Sequence, residues 1–556
     1  MHSKMTRRTF NRTLAAGTLG ILTGCNLNNR FDIILRNGLI VDGSGSAPLR
    51  QDVGIMDQTI HTIGDLSQAS AKTVIDCRDK IICPGFIDIH THTDMELLVN
   101  ARGESKIRQG VTTEVGGNCG SSPFPLNDID FKDLDEHLYN KYGLHTHWHD
   151  TAGFLQALED NKIALNYVTL TGHGKLRSSA VGKNDVKVTA DQLKSMQYAL
   201  QKSMEEGSFG LSTGLEYAPG SYASTEELIA LSKVVATNNG LYATHMRNED
   251  DRVEEAIEEA LQICAHSGVS LQISHLKACN QKNWHKVDHM LRMIHEAEKS
   301  GMPVAADRYP YTAYGTGLSV FLPITTRQGT TDDILNRLSD PKLLPEIKSY
   351  AEYRGRRIGG WDRVLISSCA TEPNKELEGK TILAASKQKG IEPFEFIRNL
   401  LIEERNRVSI VGFAMSEENL QKVLSSPLVM VGSDGNAVAN YGPLADGKPH
   451  PRFYGTFPRV LGKYSRDAHW FDLPTAVRKM TSMPAQKLGL PKRGLLSKGY
   501  YADVVVFDPQ TVIDNATFTE PHQYPGGIEY VIVNGTITVQ QSQHTGAMAG
   551  SVIRRV

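Results

Sequence analysis

The stretch Pro84-Gly85-Phe86-Ile87-Asp88-Ile89-His90-Thr91-His92 is an apolar run of β-strand type that ends in two histidines. Residues two apart on a strand point to the same face of the sheet, so His90 and His92 project side by side. Two imidazoles in this arrangement can hold one metal ion, and Asp94 follows closely. A polar strand-end turn is the simpler alternative, but the buried type of strand that delivers the pair favours a metal site.

Other potential metal ligands also follow predicted strands. A histidine after a strand is, by itself, more often a satisfied polar residue than a ligand, but coincidence at five strand ends argues against chance. Imidazole and thiolate together favour zinc. These further candidates are Cys119 after 112–118, His245 after 242–244, His275 after 273–274 and Asp434 after 431–433.

Asp434 differs from the other candidates because its carboxylate can also move protons. Water bound to a catalytic zinc ion titrates near neutrality, at about pH 7. A carboxylate beside the metal can accept the proton of that water and later donate it to a leaving nitrogen. The sequence therefore predicts Asp434 as both a metal ligand and a general base and acid.

The order of the predicted elements indicates the fold. The middle of the chain alternates short apolar strands with helical patterns, such as a strand at 166–170 and a helix at 191–206. This order predicts a (β/α)₈ barrel with its active site at the carboxyl ends of the strands.

The ends of the chain are rich in short strands and glycine turns, which predicts a small β-sandwich built from both termini. The predicted boundaries are 26–82 and 486–556 for the two parts of the sandwich, and 83–485 for the barrel. A polar stretch interrupts the barrel rhythm and predicts an inserted lid or subdomain at about 280–360.

Composition and charge do not point to a nucleic-acid partner or to an anionic membrane surface. The chain has 556 residues, of which 40% are hydrophobic and 22% charged, and 60 basic residues nearly balance 62 acidic ones. A net charge of −2 gives no reason to expect nucleic acid or an anionic membrane surface as a partner. Seven cysteines in a chain of this length do not resemble a disulfide framework.

The N-terminus has the sequence features of an export signal. Arg7-Arg8-Thr9-Phe10 is a twin-arginine signature, and the apolar stretch after it ends in Leu22-Thr23-Gly24-Cys25, which resembles a bacterial lipobox. Residues 1–25 are therefore predicted to be a signal, with Cys25 lipidated. The expected location is the periplasm, with the lipid anchored in the outer membrane. An amphipathic start with a chance cysteine is the alternative.

One histidine cluster is predicted to be unrelated to the metal. His145, His147 and His149 alternate as metal ligands can, but they lie in a polar stretch between predicted strands. We expect them on the surface.

Taken together, the motifs resemble the D-aminoacylases (N-acyl-D-amino-acid deacylases) of the metal-dependent amidohydrolase superfamily, over about residues 31–539. The motifs that carry the resemblance are the stretch at 84–92, Gly117-Asn118-Cys119-Gly120-Ser121-Ser122-Pro123, Gly172-His173-Gly174, Gly210-Leu211-Ser212-Thr213-Gly214-Leu215, Thr244-His245-Met246-Arg247, Ile273-Ser274-His275-Leu276-Lys277, Tyr309-Pro310-Tyr311, Ser433-Asp434-Gly435 and His450-Pro451-Arg452.

The resemblance implies a role for each site residue. It implies a tight zinc on Cys119, His245 and His275, and a second, weaker metal position near His90, His92, Cys119 and Asp434. It implies Asp434 as the catalytic acid and base, and His173 near the metal pocket as a carbonyl-polarising or supporting group. It also implies a set of residues that bind the substrate's carboxylate and amide, namely Tyr217, Lys277, Tyr309 and Arg452.

The predicted function is zinc-dependent hydrolysis of N-acyl-D-amino acids to a carboxylate and a free D-amino acid. One alternative keeps the chemistry but changes the substrate to a cyclic amide or a dipeptide with a D-residue. Cys119 argues against hydantoinase-like and dihydroorotase-like relatives, which usually bridge their metals with a carboxylated lysine. Another alternative is a non-catalytic metal- or solute-binding lipoprotein, and the presence of Asp434 argues against it.

Overall fold

The computed structural model describes residues 31–555. The predicted signal at 1–25, with the lipobox cysteine, lies outside the described residues. Within the described range, the helices are all too short or too polar to cross a bilayer.

The described strands are β1 (Phe31–Arg36), β2 (Leu39–Ile40), β3 (Leu49–Arg50), β4 (Asp52–Met56), β5 (Thr59–Gly64), β6 (Ala71–Asp76), β7 (Ile81–Pro84), β8 (Phe86–Asp88), β9 (Val111–Gly116), β10 (Asn166–Thr169), β11 (Thr171–Gly172), β12 (Gly210–Gly214), β13 (Leu241–His245), β14 (Ser270–Ile273), β15 (Val304–Arg308), β16 (Tyr314–Gly317), β17 (Val364–Cys369), β18 (Val408–Gly412), β19 (Val429–Val431), β20 (Val504–Phe507), β21 (Ile528–Val533), β22 (Thr536–Gln540) and β23 (Gln543–His544).

The described α-helices are α1 (Glu96–Val99), α2 (Glu104–Ile107), α3 (Asp128–Tyr142), α4 (Thr151–Asn161), α5 (His173–Ala180), α6 (Ala190–Glu205), α7 (Thr225–Thr237), α8 (Val253–Ser267), α9 (Val287–Lys299), α10 (Thr331–Ser339), α11 (Leu344–Ile358), α12 (Ile382–Lys389), α13 (Pro393–Glu403), α14 (Glu417–Ser425), α15 (Arg452–Arg459), α16 (Leu473–Met480) and α17 (Ser482–Leu488). Short 3₁₀ turns connect several of them, and a π-helical segment, Val460–Asp467, follows α15.

Parallel strands with helices between them form a closed barrel. One sheet has the order β10-β9-β8 and another the order β11-β12-β13-β14-β15-β19. β10 and β11 are two parts of one strand, interrupted at Leu170, so the barrel has eight strands. β8 and β19 meet at its seam, where Asp434 N–H donates to His90 O at 2.8 Å. The predicted (β/α)₈ barrel is confirmed.

Local signals in the sequence set the helix starts. Thr189 caps α6 in a capping box with Gln192, which sets the start of the helix predicted near 191–206. α8 begins only at Val253, because the residues before it form a loop around the side chain of Asn248. That loop carries Glu249 into the site described below.

Two further sheets pack together beside the barrel. A four-stranded sheet has the order β5-β4-β1-β6, and a seven-stranded sheet has the order β23-β22-β21-β20-β7-β2-β3. The second sheet combines strands from both ends of the chain, and Val504–Phe507 pairs antiparallel with β7. Alternating apolar side chains from both sheets, such as Ile33, Val53 and Ile532, fill the space between them.

Residues near the C-terminus leave this sandwich and return to the barrel. Val552 pairs parallel to Tyr167 of β10, and Tyr167 N–H donates to Ser551 O at 3.0 Å. The guanidinium of Arg554 pairs with Glu159 of α4. The chain end therefore fastens the sandwich to the barrel wall.

An insertion covers the carboxyl end of the barrel. It runs from β16 to β18, includes α10–α13, and has an antiparallel sheet of order β16-β18-β17 with its own apolar core. It thus extends beyond the predicted range of about 280–360, to Gly412. Its start is also later than predicted, because α9 packs against β15 and α8 as a barrel helix.

Candidate metal centre and substrate cavity

A cavity of about 970 Å³ opens at the carboxyl ends of the barrel strands. This is the end at which barrel enzymes place their active sites. Its floor carries predicted metal residues, including His92, Cys119 and Asp434, and its roof comes from the insertion, including Tyr314 and Arg354. The fold therefore places the predicted residues in one solvent-accessible chamber.

Three of these residues adopt a left-handed backbone. The φ angle is 51° at Cys119, 36° at His275 and 51° at Asp434. Such conformations cost a non-glycine residue about 1–3 kcal/mol each, and they cluster at functional sites. The turn before Cys119 also requires glycine at 117, since a Cβ there would lie 2.0 Å from Leu170 O. The chain turns sharply at each strand end and directs these side chains into the chamber.

The sulfur of Cys119 lies at the middle of the cluster. Its Sγ is 3.4 Å from His90 Nε2 and 3.5 Å from His275 Nε2. His245 Nδ1 lies 3.0 Å from the same His275 nitrogen. The potential ligand atoms of His90, Cys119 and His275 all lie within 4.8 Å of one another.

Asp434 joins the cluster from the seam of the barrel. Its Oδ1 lies 2.9 Å from His92 Nε2 and 3.6 Å from His90 Nε2. His90, His92 and Asp434 form a second group whose potential ligand atoms lie within 4.8 Å of one another. The structure thus brings together all six residues predicted as metal ligands.

Charges within the cluster favour a bound cation. Burial raises the pKa of the Cys119 thiol, but the charges of His90 and His275 outweigh burial and hold that pKa well below its usual range. Burial lowers the pKa of His92, yet hydrogen bonds to Asp434 and Cys119 raise it to about 9. A thiolate and a carboxylate among imidazoles form a donor set that suits zinc, so the residues present fit this ion.

Two acidic residues that the sequence analysis did not select orient the imidazoles. His90 Nδ1 lies 3.2 Å from Asp307 Oδ1, and His275 Nδ1 lies 2.8 Å from Glu249 Oε1. Each contact holds the ring with Nε2 facing Cys119, as carboxylates commonly do for metal-binding histidines. Glu249 lies in a loop and Asp307 lies within β15, so neither follows a strand end as the selected residues do.

Tyr309 and Arg452 present unused polar groups to the chamber. The Tyr309 hydroxyl is buried and makes no hydrogen bond with the described residues, and the same holds for Arg452 Nε. The guanidinium lies 4.7 Å from the centre of the Tyr309 ring, and its Nη1 lies 3.0 Å from Asp434 Oδ2. Buried polar groups without partners carry a cost that a bound anion can relieve.

Lys277 and Tyr217 also line the chamber but have protein partners. Lys277 Nζ donates to Glu249 Oε1 at 2.5 Å and to His275 O at 3.2 Å. The Tyr217 hydroxyl lies 3.4 Å from Thr316 Oγ1, and its ring packs on His245 with 4.8 Å between ring centres. To bind a substrate carboxylate, the Lys277 ammonium must therefore serve both Glu249 and the substrate.

His173 lies behind the chamber wall. Its ring is fully buried, and its Nε2 lies 2.9 Å from Glu227 Oε1. The chamber is lined instead by the neighbouring Gly174 and by Gly220, where a Cβ would lie 3.7 Å from His173 Nδ1. The structure does not bring His173 to the metal cluster, so the geometry supports a positioning role rather than contact with a substrate.

His145, His147 and His149 are exposed. They alternate with the buried Thr146 and Trp148, which explains the pattern in the sequence. The prediction that they lie on the surface is confirmed.

Comparison with known proteins agrees with this geometry. A sequence profile described as the amidohydrolase family matches residues 73–313 and 346–539. The D-aminoacylase of Alcaligenes xylosoxydans xylosoxydans is 36% identical over 529 residues, which cover 94% of this chain and 98% of that protein. The chain belongs to the amidohydrolase family, in the group that contains the D-aminoacylases.

Solved structures show the same relationship. N-acyl-D-glutamate deacylase from Bordetella bronchiseptica, complexed with zinc and a phosphonate mimic of the tetrahedral intermediate, superposes with a TM-score of 0.80 at 33% identity, covering 95% of this chain and 100% of that one. A D-aminoacylase structure described by its binuclear metal centre gives a TM-score of 0.79 at 36% identity, covering 94% and 100%.

Proposed function

We propose that this protein is a zinc-dependent hydrolase that splits N-acyl-D-amino acids into a carboxylate and a free D-amino acid. The observation that carries the proposal is the arrangement around Asp434. On one side its carboxylate meets His90 and His92, and on the other it meets Arg452. Asp434 thus lies between the residues that can hold zinc and Arg452, whose buried Nε makes no hydrogen bond with the described residues.

We propose that the predicted ligands form two metal sites that share Cys119. We assign a tight zinc site to Cys119, His245 and His275, and a weaker one to His90, His92, Cys119 and Asp434. The sharing of one sulfur is supported by its contacts with both His90 and His275. Zinc bound here supplies a Lewis acid that polarises an amide carbonyl and makes water more acidic.

Asp434 moves the proton of the reaction. Burial raises its pKa, but the charge of Arg452 and the hydrogen bond from His92 hold that pKa well below its usual range, so the carboxylate is ionised. It accepts a proton from the attacking water as the oxygen–carbon bond forms. It returns that proton to the nitrogen as the carbon–nitrogen bond breaks, so protons balance over the cycle.

Arg452 and Tyr309 bind the α-carboxylate of the substrate. Arginine offers a planar pair of N–H donors to a carboxylate, and the Tyr309 hydroxyl adds a third. Lys277 supports them by sharing its charge between Glu249 and the substrate, and Tyr217 closes the wall beside His245. Since this clamp and the metal donors fix two substituents of the α-carbon, the space left for its side chain decides which enantiomer fits.

The variant Asp434→Asn tests this assignment. Loss of a general base and acid typically lowers kcat by about 10²- to 10⁴-fold. Asp446→Asn is the matched control, because Asp446 lines the same chamber but pairs with Lys375 at 2.9 Å. We expect amine release from N-acetyl-D-amino acids to fall in the first variant only. Activity within about tenfold of wild type in Asp434→Asn contradicts the role.

We also propose that the protein is exported through its twin-arginine signal and anchored by a lipid on Cys25. The support is the sequence of residues 1–25 alone. In cell fractions, the double substitution Arg7→Lys and Arg8→Lys should retain the protein in the cytoplasm, and Cys25→Ala should release it from the membrane. Unchanged fractionation of both variants contradicts the proposal.

A further inference from the structure

Arg327 forms part of the chamber wall that the insertion supplies. Its side chain is half-buried, and its single hydrogen bond to the described residues runs from Nη1 to Glu216 O at 3.5 Å. The Nε is buried and makes no hydrogen bond. None of the described carboxylates lies within 4.0 Å of this guanidinium.

Neighbouring arginines of the insertion have acidic partners. Arg354 Nη1 lies 3.1 Å from Asp250 Oδ2, and Arg357 Nη2 lies 2.6 Å from Asp251 Oδ1. Glu216, the acid next to Arg327, directs its two oxygens to Arg354 and His245, at 3.7 and 3.4 Å. The positive charge of Arg327 is therefore left without a counter-ion in a desolvated wall, which is costly unless an anion arrives.

The location of Arg327 relates it to the metal cluster. Glu216 spans the gap, since its carboxylate meets His245 and its carbonyl accepts from Arg327. Arg327 thus lies beyond Glu216 on the His245 side, whereas Arg452 lies against Asp434. A chamber of about 970 Å³ is at the large end of the range for small-molecule sites, so it can hold a substrate with a second charged group.

We propose that Arg327 binds a second carboxylate of the substrate, and that the preferred substrates are N-acyl-D-amino acids with two carboxylates. The second carboxylate is carried either by the amino-acid side chain or by the far end of a dicarboxylic acyl group. This inference rests on the proposed function and specifies its substrate class. The α-carboxylate remains with Arg452 and Tyr309.

The test compares substrates that differ only in that charge. N-acetyl-D-glutamate is compared with N-acetyl-D-glutamine, and N-succinyl-D-leucine with its terminal amide, by kcat/KM. Charge-assisted hydrogen bonds of this kind are worth about 10- to 100-fold. In the wild type, the acid of at least one pair should be preferred by that factor, and the pair that shows it identifies the source of the carboxylate.

Variants of the wall assign the preference to Arg327. Arg327→Met should abolish it while leaving turnover of the neutral partner within about threefold, and Arg327→Lys should retain part of it. Lys183→Met is the control, because Lys183 lines the same chamber but lies 3.7 Å from Asp130 Oδ1. Loss of the preference in Lys183→Met to the same extent would overturn the assignment, as would a wild type without preference.

A binding measurement separates this inference from the proposed function. If none of the amides is hydrolysed, the proposed function fails, and calorimetric titration with glutarate and its monoamide makes the same comparison without catalysis. Glutarate should bind about tenfold or more tightly than the monoamide in the wild type, and equally to it in Arg327→Met. Equal binding of the two probes by the wild type overturns the Arg327 site.

Discussion

In the proposed metal centre the sulfur of Cys119 is the shared donor atom, because it contacts His90 on one side and His275 on the other. A hydroxyl is a much weaker ligand than a thiolate for zinc. We expect Cys119→Ser to lower zinc affinity by more than about tenfold, measured as metal content after dialysis against a graded chelator.

Cys279→Ser is the control for this measurement. Cys279 lines the chamber but is absent from the groups of potential ligand atoms in the described residues. Its zinc content should equal that of the wild type. Equal zinc retention by both serine variants would remove Cys119 from the centre.

Single residues also show how far the sequence reaches. All six predicted metal residues converge because apolar strands deliver them to one end of a barrel, and that rule needs only the order of the elements. The contributions of Asp307 and Glu249 depend on which ring nitrogen each approaches, which has no signature in the sequence. His173 follows a strand as the ligands do, yet its ring is directed away from the chamber, towards Glu227.

Lys106 connects the elements that carry the site. It lies on α2, is fully buried, and its Nζ donates to Asp88 Oδ2 at 2.8 Å and to Ser433 Oγ at 2.7 Å. It also lies 3.1 Å from Glu114 Oε1 on β9, so one ammonium group joins β8, β9 and the turn that holds Asp434. Burial raises the pKa of Glu114 to about 7, although the charge of Lys106 opposes this.

Removal of this ammonium group should be strongly destabilising, because it leaves two buried acids unpaired. We expect Lys106→Met to lower the free energy of unfolding by about 3–5 kcal/mol, measured in urea. Lys132→Met, at an exposed pair with Glu136, should change it by less than about 1 kcal/mol. A change below about 1 kcal/mol in Lys106→Met would contradict the proposed connection.

At the level of elements, the sequence predicts which helices, strands and insertions are present better than it predicts where they begin and end. A polar stretch in the sequence predicts the insertion. Its strands Val364–Cys369 and Val408–Gly412 are apolar like the barrel strands, so the sequence does not indicate that they pair antiparallel outside the barrel. Likewise, Cys119, His275 and Asp434 adopt a left-handed backbone, which glycine adopts most readily, so the residue types do not indicate these turns. They depend on tertiary contacts.

At the scale of the whole molecule, we expect the buried Lys479 on α16 to make the stability of the fold depend on pH. Lys479 is 2% exposed, and its Nζ donates to Ser426 O at 2.5 Å and Val429 O at 2.8 Å. Burial, aided by the charge of Arg478, lowers its pKa to about 7. In the unfolded chain a lysine titrates near pH 10.4.

Between these two pKa values the unfolded state binds more protons, so stability should rise with pH from about 7 to about 10. One such lysine contributes a slope of up to about 1.4 kcal/mol per pH unit. Lys479→Met should flatten the curve by that amount, as measured by urea unfolding across this range. If the plots of unfolding free energy against pH are parallel for wild type and variant, folding does not lower the pKa of Lys479, which contradicts the prediction.

We propose that the chamber hydrolyses acylated D-amino acids when zinc is bound. The most direct measurement is the release of free amine from N-acetyl-D-methionine and from N-acetyl-L-methionine by the zinc-loaded protein. We predict release from the D substrate, with that from the L substrate lower by about 100-fold or more, and loss of release when a chelator removes the metal. Equal rates for the two enantiomers, or no release from either while zinc is bound, would contradict the claim.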